Sequence, residues 1–276
     1  MKTYIYILLA FCLLSCEDVV DVDVPQSSPK LVIEATIEWE KGTVGNEQEI
    51  KLSLSTPYFS NEQFVPATGA QVIIRKLSDN TTFVFSESTE GIYTTNTFNP
   101  ELNTVYELEI LYGNEVYKGQ EEFKSVSDIN SITQTVEGGF DDELIEVNIF
   151  FDDPEDEENY YLTRFNEPGD VLPYYFPLDD EFTNGNEMTM FYEKEDGDNE
   201  NDELNEGDLV EIELSGISER YYNYMSLLLQ QADDQGPFGV TPAPVIGNCV
   251  NETNEEAKPY GYFRLSEVVK TSYIIQ

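Results

Sequence analysis

Apolar and polar residues alternate along most of the chain, which is the pattern of β-strands with one buried face. Between residues 31 and 39 every odd position is apolar, while three of the four even positions are polar. The alternation recurs in about seven segments of residues 30–125, and Gly113-Asn114 between two of them predicts a tight hairpin. These residues therefore predict an immunoglobulin-like or fibronectin-like β-sandwich.

Residues 126–276 predict a second β-rich domain that carries one helix. Residues 145–151 have an apolar side chain at every odd position, as a strand with a buried face requires. Ser218 is a favourable N-cap residue, and apolar side chains then follow at helical spacing. We therefore expect a mainly β chain, with a sandwich at 30–125 followed by a β-rich domain with a helix at about 218–234.

A short apolar segment near the start of the chain ends in a cysteine. Residues 4–14 are almost entirely apolar, but a membrane-spanning helix needs roughly 20 such residues, so the segment is typical of a signal peptide. Its end, Leu13-Leu14-Ser15-Cys16, resembles a bacterial lipobox. We expect residues 1–15 to be a lipoprotein signal peptide and Cys16 to carry the acyl chains. The alternative is an ordinary signal peptide followed by an incidental cysteine.

The residues after Cys16 are strongly acidic, with Glu17, Asp18, Asp21 and Asp23 in quick succession. This acidity resembles the surface-export signal of Bacteroidetes lipoproteins, which implies an outer-membrane protein that faces the cell exterior. The alternative is that residues 16–29 are simply a solvated acidic tether, because charged linkers repel themselves and stay extended.

The charge balance narrows the range of partners. The chain has 14 Lys and Arg against 55 Asp and Glu, which gives a formal net charge of −41. Such a field repels nucleic acids and anionic lipid head groups, so we expect neither as a partner beyond the membrane contact of the acylated terminus. Aromatic residues make up 13% of the chain, which favours a folded protein over an acidic disordered one.

The composition also excludes several kinds of catalytic site. The chain has no histidine, so Ser-His-Asp and Cys-His catalysis and histidine zinc sites are absent. Cys249 is the only cysteine after Cys12 and Cys16, and we expect it to be a buried structural thiol without a disulfide. We expect no enzymatic activity. A carbohydrate-active enzyme that uses Asp/Glu pairs is the alternative, since two carboxylates suffice for glycoside hydrolysis.

Calcium is the one cofactor that the sequence suggests. Calcium takes oxygen ligands, and the acidic loop between two predicted strands offers Asp152, Asp153, Asp156 and Glu158. A longer acidic run at 193–208 has almost nothing to bury and is predicted to be a mobile loop. We therefore place the calcium site at the four residues of the shorter loop, with plain solvated loops as the alternative.

Eight short motifs resemble, in their order, those of one protein family. They are Leu31-Val32-Ile33-Glu34-Ala35, Thr68-Gly69-Ala70-Gln71-Val72-Ile73-Ile74, Gly91-Ile92-Tyr93, Val105-Tyr106-Glu107-Leu108, Phe151-Asp152-Asp153-Pro154, Asn159-Tyr160-Tyr161-Leu162, Pro244-Val245-Ile246-Gly247-Asn248 and Gly261-Tyr262-Phe263. The chain thus resembles the Bacteroidetes lipoprotein family called domain of unknown function 4249. It departs from the family at 249–259, where the usual segment is rich in glycine.

The resemblance implies an outer-membrane lipoprotein, often encoded near TonB-dependent receptors, and it supplies no catalytic residue. We therefore expect a lipid-anchored, non-enzymatic binding or accessory protein that partners a TonB-dependent receptor in nutrient uptake. A calcium-dependent adhesion or glycan-binding module is a further alternative to the carbohydrate-active enzyme.

The anchor can be tested by the substitution Cys16→Ala. Without the cysteine there is no site for the acyl chains, which contribute about 0.8 kcal/mol of membrane affinity per buried methylene. We expect the variant to be unprocessed or soluble in cell fractionation, whereas the wild type sediments with the outer membrane. A variant that is still processed and still found in the outer membrane would contradict the lipoprotein assignment.

Overall fold

The computed structural model describes residues 28–57, 64–136, 138–139, 141, 143–155, 157–194, 203–232 and 243–276. The predicted signal peptide and Cys16 lie outside these residues, as do Asp156 and residues 195–202 of the acidic run at 193–208. Within the described residues the chain is mainly β with one α-helix, which confirms the predicted fold class.

In the first part of the chain, the described residues form eight strands and no helix. They are β1 (Leu31–Glu40), β2 (Gln48–Leu54), β3 (Val65–Pro66), β4 (Gln71–Lys76), β5 (Thr82–Thr89), β6 (Ile92–Thr95), β7 (Val105–Tyr112) and β8 (Glu115–Glu122). Apart from the short β3, they lie side by side in the order β1-β2-β6-β5-β4-β7-β8. Asn114 and Gly113 both have positive φ between β7 and β8, as the predicted tight hairpin requires.

The second part adds eight strands and the helix. They are β9 (Ile129–Thr135), β10 (Glu146–Asp152), β11 (Tyr160–Asn166), β12 (Tyr174–Asp179), β13 (Glu187–Glu193), β14 (Leu209–Ile217), α1 (Glu219–Ala232), β15 (Cys249–Asn251) and β16 (Tyr260–Ile274). Strands β13-β10-β9 form a separate antiparallel sheet. The others extend the large sheet, in the order β12-β11-β14-β16 before β1 and with β15 beside β8.

Two main hydrophobic cores lie under these sheets. The first contains the inward residues of β1, β2, β4, β5, β7 and β8, such as Ile33, Leu52 and Leu108. The second lies between the three-stranded sheet and β11, β14 and the end of β16, with Phe151, Tyr161 and Leu214 fully or almost fully buried. Alternate residues of the strands point into each core, which explains why apolar and polar residues alternate along the sequence.

Strand β16 belongs to both cores. It pairs in parallel with β1, from Val32 opposite Tyr260 onwards, and antiparallel with β14. Phe263 and Leu265 enter the first core, while Val269 lies on the same strand face six residues later and packs against the second. The C-terminal strand therefore completes the first sandwich as well as the second domain.

Helix α1 packs against the other face of β16. The Ser218 hydroxyl accepts a hydrogen bond from the backbone N–H of Tyr221 at 3.2 Å, which is the predicted N-cap. The ring of Tyr221 meets Tyr262 edge-on at 4.8 Å, and Tyr224 lies 4.9 Å from the same ring. Tyr221 and Tyr224 therefore lie on the packing face of the helix.

The close pairing of β1 and β16 can be tested at Gly261. This residue has a φ of +87°, and a Cβ there would overlap the carbonyl oxygen of Ile33 on β1. Gly42 has a similar φ of +82° but open space around it, so it controls for backbone strain alone. Gly261→Ala should lower the free energy of unfolding by about 1–3 kcal/mol more than Gly42→Ala, because overpacking adds to the strain. Equal losses in urea unfolding would contradict this pairing.

Candidate functional site

The acidic loop between β10 and β11 is held in place by Asp153. This carboxylate is 6% exposed, and it accepts hydrogen bonds from the Tyr161 hydroxyl at 2.6 Å and the Gly185 backbone N–H at 3.0 Å. Burial and the negative charge of Asp153 raise the pKa of Tyr161, so the hydroxyl remains a donor. The loop is thereby fixed against the turn between β12 and β13.

The structure brings only part of the predicted calcium set into one network. Both oxygens of Asp153 are already used by protein donors, while Asp152 and Glu158 are exposed to solvent. Asp156 lies outside the described residues. Within the described ranges, no group of three or more Asp, Glu, Cys or His side chains is arranged to hold a metal. Calcium binding by Asp152, Asp153, Asp156 and Glu158 therefore stays a prediction.

A groove of about 500 Å³ lies beside this loop, and we call it the acidic groove. It is formed where the start of β11, the end of β12 and the first turn of α1 meet. Five of its nine lining residues are Asp or Glu, and none is Lys or Arg. The lining residues are Glu158, Tyr160, Asp179, Asp180, Glu181, Asn184, Glu219, Tyr222 and Asn223.

Hydrogen bonds fix the shape of the acidic groove. The Tyr222 hydroxyl donates to Asp179 at 2.6 Å, and the backbone N–H of Asn159 donates to the buried Asp180 at 2.9 Å. The bond to Asp179 and partial burial together raise the pKa of Tyr222 to about 12. Burial, with the charges of nearby carboxylates, also raises the pKa of Tyr160. The groove is thus a fixed arrangement of negative charge and neutral tyrosine.

Three features suit the acidic groove to a cationic ligand that also carries some apolar surface. The rings of Tyr160 and Tyr222 lie 5.3 Å apart, and aromatic faces attract ammonium and guanidinium groups. The side-chain oxygen of Asn159, which lies in sequence between the lining residues Glu158 and Tyr160, is buried and has no hydrogen-bond partner within the described ranges. Phe182, in the turn beside the groove, is 90% exposed and offers an apolar contact at its rim.

Sequence reasoning found only Glu158 of this groove. Asp179, Asp180 and Glu181 form a visible acidic run after an aromatic segment, but Glu219 lies some 40 positions further on. Only the pairing of β11 with both β12 and β14 brings these segments together. No local sequence pattern indicates that the ends of these distant strands lie side by side.

A second charged cluster lies between β1, β14 and β16. Arg264 is almost fully buried, and its guanidinium bonds to Glu38 while the ring of Tyr221 covers it at 5.4 Å. Lys270 lies 2.9 Å from Glu38 and 3.3 Å from Glu213. Burial alone would raise the pKa of Glu38, but Arg264 and Lys270 outweigh it and hold the pKa below its ordinary value. The positive and negative side chains of this cluster neutralise one another, and their ion pairs connect β1, β14 and β16.

Cys249 lies in the first core, and burial raises the pKa of its thiol to about 12. A thiol that stays protonated at neutral pH is a poor nucleophile, in agreement with a structural role. In the part of the chain that the structure describes, no helix is both long and apolar enough to cross a membrane.

The role of Asp153 can be tested by Asp153→Ala. The change leaves the buried Tyr161 hydroxyl without its acceptor, so the free energy of unfolding should fall by about 2–3 kcal/mol. Asp152→Ala, an exposed neighbour, should change it by less than about 0.5 kcal/mol. The loss should be the same with EGTA as with calcium in urea unfolding. A loss that depends on calcium would instead identify Asp153 as a metal ligand.

Comparisons with known proteins place the chain in a family. No curated protein matches it. Among solved structures it is similar to a two fibronectin type-III domain segment from chicken tenascin, at 9% identity and a TM-score of 0.22, over 69% of this chain and 91% of that one. It is also similar to the FN1-FN3 domains of chicken CNTN1, at 10% identity and 0.23, over 70% and 63%. The profile of one family matches residues 17–272, so the chain belongs to the family described as Domain of unknown function (DUF4249).

Proposed function

We propose that this protein is a lipid-anchored, non-enzymatic accessory protein of the outer membrane, facing the cell exterior, whose acidic groove binds a cationic segment of a partner. A TonB-dependent receptor engaged in nutrient uptake is the partner we propose. The observation that carries the binding role is the acidic groove itself, with five carboxylates and no basic side chain among its lining residues.

The charges of the groove favour a protein partner with Lys or Arg side chains. Carboxylates that line one concave surface focus the negative potential and raise the local concentration of cations. The net charge of −41 adds a long-range attraction for basic surfaces, which speeds encounter more than it adds affinity. Tyr160 and Tyr222 would stack on an arginine or lysine once it has entered.

The groove is also held rigidly enough to recognise a partner. Its walls come from β11, β12 and α1, which are fixed by strand pairing and by the Tyr222–Asp179 and Asn159–Asp180 hydrogen bonds. Little conformational entropy is therefore lost on binding, and more of the contact energy appears as affinity. Exposed Phe182 supplies apolar area next to the charged contacts.

Neutralising the exposed carboxylates of the groove tests this proposal. The triple variant Glu158→Gln, Glu181→Gln and Glu219→Gln keeps side-chain size and leaves Asp179 and Asp180 in their hydrogen bonds. We expect it to recover at least 10-fold less receptor than the wild type in affinity capture from outer membranes. The loss follows from removing charges that steer and hold a basic segment.

A matched control removes three exposed glutamates elsewhere, through Glu47→Gln, Glu49→Gln and Glu90→Gln. It changes the net charge equally and should leave capture within about twofold of the wild type, apart from the general loss of long-range attraction. Equal recovery by the two triple variants, or capture that does not weaken as salt rises, would contradict binding through the groove.

A further inference from the structure

Two glutamates face each other at one end of the three-stranded sheet. Glu146 opens β10, and its registered neighbours are Thr135 on β9 and Glu193 on β13. Residues directly opposite in antiparallel strands project from the same face of the sheet. The three side chains therefore form one row, with two carboxylates adjacent in it. Like charges in this position repel and destabilise a sheet unless something compensates them.

Of the two glutamates, Glu146 has the larger free-energy cost of ionisation in the folded protein, because it is buried. Its side chain is 1% exposed, and Oε1 accepts a hydrogen bond from the Thr135 hydroxyl. Oε2 has no hydrogen-bond partner among the residues that the structure describes. A buried carboxylate without compensation is strongly unfavourable, because it has lost its hydration and gained nothing in return.

The carboxylate of Glu193 and the backbone at Gly139 both lie next to Oε2 of Glu146. Oε2 of Glu193 lies 3.5 Å from the backbone N–H of Asp141. A Cβ built on Gly139 would overlap Oε2 of Glu193 and lie 2.7 Å from Oε2 of Glu146. The two oxygens are therefore closer than the roughly 5 Å that separates ligands on opposite sides of one calcium ion. Only glycine fits at position 139 with this spacing.

The nearest basic side chain along the chain is engaged elsewhere. Lys194 directly follows Glu193, but its ammonium lies 3.1 Å from Glu167 and 3.5 Å from Asp170. Among the described residues, Glu146 forms no salt bridge with Lys or Arg. A cation that compensates the buried Glu146 would therefore have to come from outside the described side chains.

We propose that Glu146 and Glu193 bind a calcium ion, with the Thr135 hydroxyl and water completing its coordination. Every side-chain donor in the row is an oxygen, which suits calcium and not the metals that prefer nitrogen or sulfur. Two carboxylates with neutral oxygens suffice, since calcium accepts carbonyl, hydroxyl and water ligands at 2.3–2.6 Å. This site is separate from both the acidic groove and the loop at 152–158.

Titration of the purified protein with calcium chloride tests the proposal. Thermal unfolding should show a saturable rise in Tm, half complete at roughly 0.1–1 mM as in extracellular modules, that sodium chloride of equal ionic strength does not reproduce. Isothermal titration calorimetry should give the matching Kd. Glu146→Gln and Glu193→Gln should each weaken binding at least 10-fold. Without calcium, Glu146→Gln should melt above the wild type, because an amide removes the uncompensated buried charge.

Asp152→Asn and Glu158→Gln are the matched controls, and both should keep the full calcium response. The proposal is overturned if the wild type shows no saturable response, or if these controls lose it while Glu146→Gln keeps it.

Discussion

The parallel pairing of β1 with β16 is the contact on which the rest of the structure depends. It places Phe263 and Leu265 of β16 in the first core. The same strand then continues to Val269, which packs against the second core. Where the chain crosses between the cores, the buried Glu267 accepts a hydrogen bond from the backbone N–H of Val126. Removing β16 would therefore open both hydrophobic cores at once, so the two β domains form one mechanical unit.

Three carboxylates, the half-buried Glu38 and the buried Asp153 and Glu146, have different kinds of partner. Glu38 is paired with Arg264 and Lys270, two of only 14 basic residues in the chain. Asp153 is satisfied by neutral donors, which stabilise an anion without spending a cation. Glu146 keeps one oxygen without a partner. Two of the scarce cations, Arg264 and Lys270, lie where strands of distant sequence meet, while the acidic groove keeps a negative surface open to solvent.

Local structure was predictable from the sequence because local rules dictate it. The alternation at residues 31–39 became β1, Gly113-Asn114 became a hairpin, and Ser218 capped the helix. Long-range relations were not predictable, since a single strand pattern does not reveal its partner. The row formed by Glu146 and Glu193 needed the register of β10 and β13. Asp153 looked like one acidic loop residue among several, and only its burial against Tyr161 distinguishes it.

The same parallel pairing fixes the order in which the protein can fold. Glu38 and Lys270, which it brings together, are 232 positions apart in the chain. A ribosome releases β1 long before β16, so the first sandwich is left with an unpaired edge until nearly all of the chain has been made. Contacts between residues that are this far apart in the sequence also form slowly. The edge of the first sandwich at β1 can therefore be completed only after β16 has been synthesised.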